Sequence, residues 1–151
     1  MNLEHFQKFL HKEIPVTAAQ GVEVISFGIE GLRLRAPIAN NYNDKRTAFA
    51  GSQYSLAVLA GWSYLMLSLD AAGLSGQVAV YKSSMDYQSP VASDYDAVCH
   101  PLPLTDLDKL TTRVKTKGRA KAELAVDLLG AQGRAATFAG HYAIQQILKS
   151  D

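Results

Sequence analysis

The order of polar and apolar residues predicts an α+β protein in which a curved antiparallel sheet of six strands wraps one long apolar helix. Three observations carry this. The stretch from Leu56 to Leu69 is apolar almost all round, interrupted only by small residues such as Gly61, Ser63 and Ser68, so it should be surrounded by protein. Strand-like runs with a period of two stand in pairs before and after it. The 151 residues, 48% of them hydrophobic, suit one domain over 1–151 with a real core and exclude disorder.

Each element has its own signal. Leu3, Phe6, Leu10 and Ile14 recur at helical spacing until Pro15, which predicts an amphipathic helix over about 2–13 packed on the outside of something larger. Val22, Val24 and Ser26 then alternate with Glu23, Ile25 and Phe27. After the turn "IEGL", Leu32 and Leu34 face opposite to Arg33 and Arg35, which makes a hairpin with one polar face. The apolar helix is expected over about 52–72, with Gly73 suited to a left-handed cap. "GQVAVYKSSMDYQSPV" and "SDYDAVCHPL" read as two strands joined through Pro90 and a short polar turn. Leu107, Leu110 and Val114 mark a weaker amphipathic helix over about 104–114, and "GRAKAELAVDLLG", "AQG" and "RAATFAGHYAIQQIL" form a closing hairpin. Such a sheet leaves exposed edges, so a dimer that continues it is expected.

Composition narrows the function. With 15 basic and 14 acidic residues the net charge is +1, so no overall field favours nucleic acid or an anionic membrane, and any anion site must be local. The single cysteine, Cys99, cannot form an internal disulfide and is expected to pack as a small hydrophobe in a reducing cytoplasm. His5, His11, His100 and His141 show no metal spacing, although His141 on the last strand has some prospect of lining a cleft. The amino-terminal "MNLEHFQKFLHKEIP" lacks the layout of a signal peptide, and the apolar helix falls short of the roughly 20 residues that span a bilayer.

The stretch "NNYNDKRTAFAGSQYSLAVLAGW" poses the functional question, because an Asn-rich polar turn leads straight into the apolar helix. Asn and Asp bond their own backbone in turns, so the cluster reads equally as loop chemistry or as a site. Ser52 reads as a helix N-cap rather than a nucleophile. Arg113, Lys115, Lys117, Arg119 and Lys121 fall at every second position, so an extended chain there would line its charges along one face. That face is either a solvated strand edge or a grip on phosphates. Lys82 shares a strand face with Val78 and Val80, which makes that face exposed or the lysine buried for a reason. Trp62 and Tyr64 read as core, with the border of an acyl tunnel as the alternative for one of them.

The same stretch resembles the Asn-x-Asn, Thr-x-Phe-x-Gly-Ser and Gly-Trp pattern of YiiD-type thioesterase domains, and "MDYQSPV" and "DYDAVCHPL" are similar to consecutive strands of acyl-CoA thioesterases. The resemblance covers nearly the whole chain. It implies a hotdog fold and a thioester pocket at a dimer interface, beside the amino end of the central helix. On that reading the N–H groups of Gly51 and Ser52 hold an oxyanion, Asn43 polarises the thioester carbonyl, and Asp44 or a partner-chain residue activates water. Gly51 lets the substrate approach the backbone. Asn41, Thr47, Phe49, Lys82, Arg113, Lys115 and Lys117 are the candidate substrate-binding residues. The positions at which PaaI-like thioesterases carry a His and an acidic residue are Phe49 and Val58 here, and neither does acid–base chemistry.

The expected function is hydrolysis of a thioester of coenzyme A or acyl carrier protein by a cytoplasmic homodimer or dimer of dimers, with no metal or redox cofactor. The alternatives are a non-catalytic acyl-CoA or lipid-binding module and, more distantly, a hotdog dehydratase.

Overall fold

The computed structural model describes residues 1–148 and 150. Its elements run α1 (Leu3–Glu13), α2 (Pro15–Ala19), β1 (Glu23–Gly28), β2 (Gly31–Ala36), a short 3-10 turn (Ile38–Asn40), α3 (Ala50–Ala71), β3 (Gly76–Tyr87), β4 (Tyr95–Cys99), α4 (Leu104–Lys117), β5 (Arg119–Gly130) and β6 (Gly133–Gln146). The strands form one curved sheet in the order β1-β2-β4-β5-β6-β3, every neighbouring pair antiparallel. α3 packs against β2, β3, β4, β5 and β6. This is the hotdog arrangement, a sheet wrapped around one helix.

α3 buries Leu56, Ala57, Ala60, Leu65 and Leu69 almost completely. Each large side chain removed from water in this way contributes about 1.5–3 kcal/mol. The helix is not enclosed on every side, however. Tyr54, Val58, Trp62 and Met66, at intervals of four residues, are only partly buried. Phe6 of α1 covers part of this stripe by stacking on Trp62 at 6.4 Å between ring centroids. At the far end, Gly73 takes φ +71° and Leu74 N–H reaches back to Leu69 O at 2.9 Å, a Schellman cap that satisfies a terminal carbonyl.

Several expectations need correction. Pro15 does not simply end the first helix; it occupies the first position of α2, where its missing N–H costs nothing. α3 starts two residues earlier than expected, at Ala50 after Phe49, so Ser52 is inside the first turn and is not the N-cap. No side chain caps this helix. β3 and β4 do not pair, since β5 and β6 lie between them and leave β3 as a free edge. Bulges break the strict alternation of β1 between Val24 and Ser26 and of β3 between Val80 and Lys82. An inserted residue shifts every later side chain to the other face. Phe27 therefore packs inward in β1, and Lys82 is exposed instead of following Val78 into the core. The basic run is also divided: Arg113, Lys115 and Lys117 are helical, ending α4 in its expected dipole sense, and only Arg119 and Lys121 alternate along a strand.

Candidate functional site

The loop from Asn40 to Phe49 brings the chain to α3, and its own hydrogen bonds shape it. Asn41 is 3% exposed; its Nδ2 donates to Gln20 O at 2.9 Å and Pro37 O at 2.7 Å, while its backbone carbonyl accepts from Phe49 N–H at 2.8 Å. Asn41 thus anchors both the loop and the residue that opens α3. Asn43 Oδ1 accepts from the amides of Lys45 (2.8 Å) and Thr47 (3.0 Å), and its Nδ2 donates to Thr47 Oγ1 at 2.8 Å. An amide nitrogen carries two hydrogens, so one Asn43 donor remains for a ligand. Arg46 sits at φ +61° and holds its guanidinium 5.2 Å from the Tyr42 ring centroid.

The outcome is an α3 amino terminus presented at the surface. Phe49, Ala50 and Gly51 are exposed, and the first α-helical hydrogen bond is that from Gln53 N–H to Phe49 O, 3.1 Å. The N–H groups of Ala50, Gly51 and Ser52 therefore have no intramolecular acceptor among the described residues. Such a turn carries roughly half a positive elementary charge and suits a carbonyl oxygen that gains negative charge. A Cβ on Gly51 would lie 2.5 Å from the Phe49 ring, so a side chain there must displace that ring.

Three tyrosines surround this turn, and none is among the site residues expected from sequence, although Tyr87 belongs to the "MDYQSPV" stretch. Tyr87, at the end of β3, donates to Ala50 O at 2.8 Å and ties the free edge strand to the helix start. Tyr54, one turn into α3, hydrogen-bonds Ser83. Tyr95 is 1% exposed, with burial pushing its phenol well above the ordinary range, and its hydroxyl lies beside the buried Ser52. Tyr87 and Ala50 are 37 residues apart, so only the folded sheet shows the contact.

The remaining candidates are dispersed. Asp44 faces solvent, with a side chain 80% exposed and a 3.1 Å ion pair to Lys45. Thr47 closes the Asn43 turn and also borders a cavity of about 310 Å³ against the β5–β6 turn. Val58 is a half-buried member of the α3 stripe, and its carbonyl accepts from Tyr142 at 2.7 Å. Lys82 lies midway along the β3 edge. Arg113 and Lys117 meet Arg119 and Lys121 around a separate cleft at the Gly76 end of β3; Lys115 is not part of its wall. His141 is on the outward face of β6, 3.9 Å from Glu123 and beside Tyr81, and His100 is 2.8 Å from Asp127. Among the described residues no cluster of three His, Cys, Asp or Glu side chains has metal-holding geometry, and no helix is long and apolar enough to cross a membrane.

Comparison with known proteins places this architecture. Its fold is similar to that of a protein of unknown function from Chlorobaculum tepidum TLS, 27% identical over 95% of this chain and 94% of that one, with a TM-score of 0.89. It is likewise similar to a "putative thioesterase" from Shewanella oneidensis, 28% identical over 93% of this chain and 95% of that one, TM-score 0.80. A "Probable Thioesterase" from Pseudomonas aeruginosa shares the fold at 23% identity over 97% of each chain, TM-score 0.83. The family described as "Putative thioesterase (yiiD_Cterm)" matches residues 3–146. With its six-stranded sheet wrapped around α3 and that match over nearly its whole length, the chain belongs to this thioesterase-type hotdog family.

Proposed function

We propose that this protein hydrolyses an acyl thioester of coenzyme A or of acyl carrier protein at the amino terminus of α3. The observation that carries the reading is the start of α3, exposed as far as Gly51, where the N–H groups of Gly51 and Ser52 lack acceptors among the described residues. The thioester oxygen would accept from these amides and from the remaining Nδ2 hydrogen of Asn43. Water then attacks the carbonyl carbon, the C–S bond breaks, and the thiolate leaves and is protonated, giving a carboxylic acid and a free thiol. Each such donor is worth about 2.7–4 kcal/mol of transition-state stabilisation.

Water activation falls to Asp44 or to a residue of a second copy. Asp44 is solvent-facing in one protomer, which favours the second copy as the source of a base or of the surface that encloses Asp44. The long β3 edge exposes Val80, Tyr81 and Tyr87 beside the half-buried α3 stripe, and pairing of two β3 edges would cover both. Asn41, Thr47 and Phe49 shape the entrance, and Lys82 lies on the edge that would meet the partner. A chemically inert acyl-CoA-binding module is the second reading, favoured by Phe49 and Val58 standing where relatives of the fold carry acid–base groups. Incubation with acyl-CoAs of graded chain length and detection of free thiol separates the two: release supports hydrolysis, and binding without release at every chain length leaves only the module.

A further inference from the structure

We propose that the cleft between the last turn of α4 and the outward face of β5, β6 and β3 binds an organic phosphate of nucleotide type. Its volume, about 960 Å³, falls among cavities that take small molecules, roughly 300–1,000 Å³. Strand register builds it in rows. Gln77, Gln145 and Arg119 lie side by side across three strands, and Ala79, Ala143 and Lys121 form the next row. From α4, Arg113 and Lys117 reach the same concavity one helical turn apart.

Four cations therefore line one hollow, and no carboxylate does. None of the four is in an ion pair among the described residues. The opposite half of the same sheet face behaves differently: Arg33 and Arg35 both hold Asp96, and His100 holds Asp127. Glu123, which follows Lys121 on the outward face of β5, lies 3.9 Å from His141 and outside the cleft wall. Here the net charge of +1 leaves no general excess, so this is a local concentration of positive field in a concave surface, which attracts anions.

The rest of the lining suits more than inorganic phosphate. Ala79 and Ala143 leave a flat apolar floor on which a planar ring can rest, and the Gln77 and Gln145 carboxamides offer both donors and acceptors to a heteroaromatic edge. Arg113 and Arg119 can each grip a phosphate through two N–H groups. Lys121 Nζ is 5.1 Å from the Tyr81 ring centroid, which adds an aromatic face at the rim.

In one protomer this cleft is remote from the first turn of α3. Gln77 borders the cleft and Tyr87 touches Ala50, with roughly 30 Å of strand between them. Antiparallel pairing of two β3 edges would bring the cleft of one copy towards the α3 terminus of the other, and the nucleotide would then be that of a coenzyme A thioester. This assignment of source rests on the proposed hydrolase reading; the binding of a nucleotide phosphate does not.

Calorimetric titration of the full chain with 3′,5′-ADP, ATP, coenzyme A, pantetheine and inorganic phosphate tests the proposal. The wild type is expected to bind 3′,5′-ADP and coenzyme A, weakly at high salt, and pantetheine not at all. K117E/R119E should weaken 3′,5′-ADP at least roughly tenfold, K117Q/R119Q less, and the charge-matched α1 variant K8E/K12E should match wild type. Absence of nucleotide binding, or equal loss in K8E/K12E, overturns the proposal. A KM for acyl-CoA raised more than that for acyl-N-acetylcysteamine in K117E/R119E supports the cleft and assigns it to the substrate. Equal affinity for ATP and 3′,5′-ADP with unchanged acyl-CoA kinetics supports it as a site for a free nucleotide. Charge-dependent 3′,5′-ADP binding by a protein that releases thiol from no thioester refutes the hydrolase reading and leaves the cleft standing.

Discussion

The Asn43 side chain makes three hydrogen bonds within its own loop and still has one N–H to offer, so its two roles separate by substitution. Asn43→Ala is expected to lower stability by about 1 kcal/mol or more, read from urea unfolding, and to lower turnover with it. Asn43→Asp keeps the two acceptor contacts and is expected to hold stability while turnover falls, because the free N–H is lost. Cys99 gives a second residue-scale prediction. Burial pushes its thiol up to about 12, above its ordinary value of 9.0. Stability gained by keeping the thiol neutral is complete below pH 9.0 and is lost as pH rises from there towards about 12. A thiol reagent at pH 8 should therefore label Cys99 only after denaturation. The polar cluster before α3 is visible in the sequence, but what separates Asn41 from Asn43 is not. Asn41 is held by Gln20 O, 21 residues away, and only the fold supplies that partner.

At the scale of elements, α3 depends on close approach to the sheet. A Cβ on Gly61 would come within 2.3 Å of the Tyr142 hydroxyl and 2.7 Å of its ring carbon, and that hydroxyl donates to Val58 O. Gly61→Ala is expected to destabilise by about 1–3 kcal/mol through overpacking. Tyr142→Phe alone should cost about 1 kcal/mol, and the double variant should recover part of the Gly61→Ala loss because the nearest atom is gone. Urea unfolding of the four proteins checks this; additive losses would contradict it. Element types were legible because periods of 3.6 and 2 recur clearly, as in Leu3, Phe6 and Leu10 or in Leu32 and Leu34. Bulges were not, since one inserted residue in β3 leaves local composition unchanged while moving Lys82 to the exposed side. The basic run depends on conformation in the same way: every-second spacing is a face only where the chain is extended, as at Arg119 and Lys121, while Arg113–Lys117 is helix.

For the whole molecule, the strand order leaves β1 and β3 as edges, and the β3 edge adjoins the half-buried stripe of α3. V80E/Y81E is expected to convert a dimer into a monomer on light scattering and to lower thioester turnover, while a wild type that is monomeric at all concentrations would remove the partner from the account. Acid should act through Asp96. Burial alone would push its carboxyl up, but hydrogen bonds from Arg35 and Arg33 more than offset this and hold it below the usual carboxylate range. Its contribution to stability is thus present at neutral pH and lost as pH falls below the ordinary value of 3.8, and Asp96→Asn should flatten that part of the acid unfolding profile. Strand order itself could not be read from the chain, because β3 and β4 are adjacent in sequence and lie apart in the sheet.

The most direct test is thiol release from a panel of acyl-CoA and acyl-N-acetylcysteamine thioesters by wild type, Gly51→Ala and Gly51→Pro. Proline in the first helical turn removes the Gly51 N–H from a position that makes no intrahelical bond. The account predicts turnover by wild type and a kcat on the order of 100-fold lower in Gly51→Pro than in Gly51→Ala, which also displaces the Phe49 ring but keeps the N–H. Folded wild type that releases no thiol from any of these thioesters, or Gly51→Pro that turns over at the Gly51→Ala rate, would contradict it.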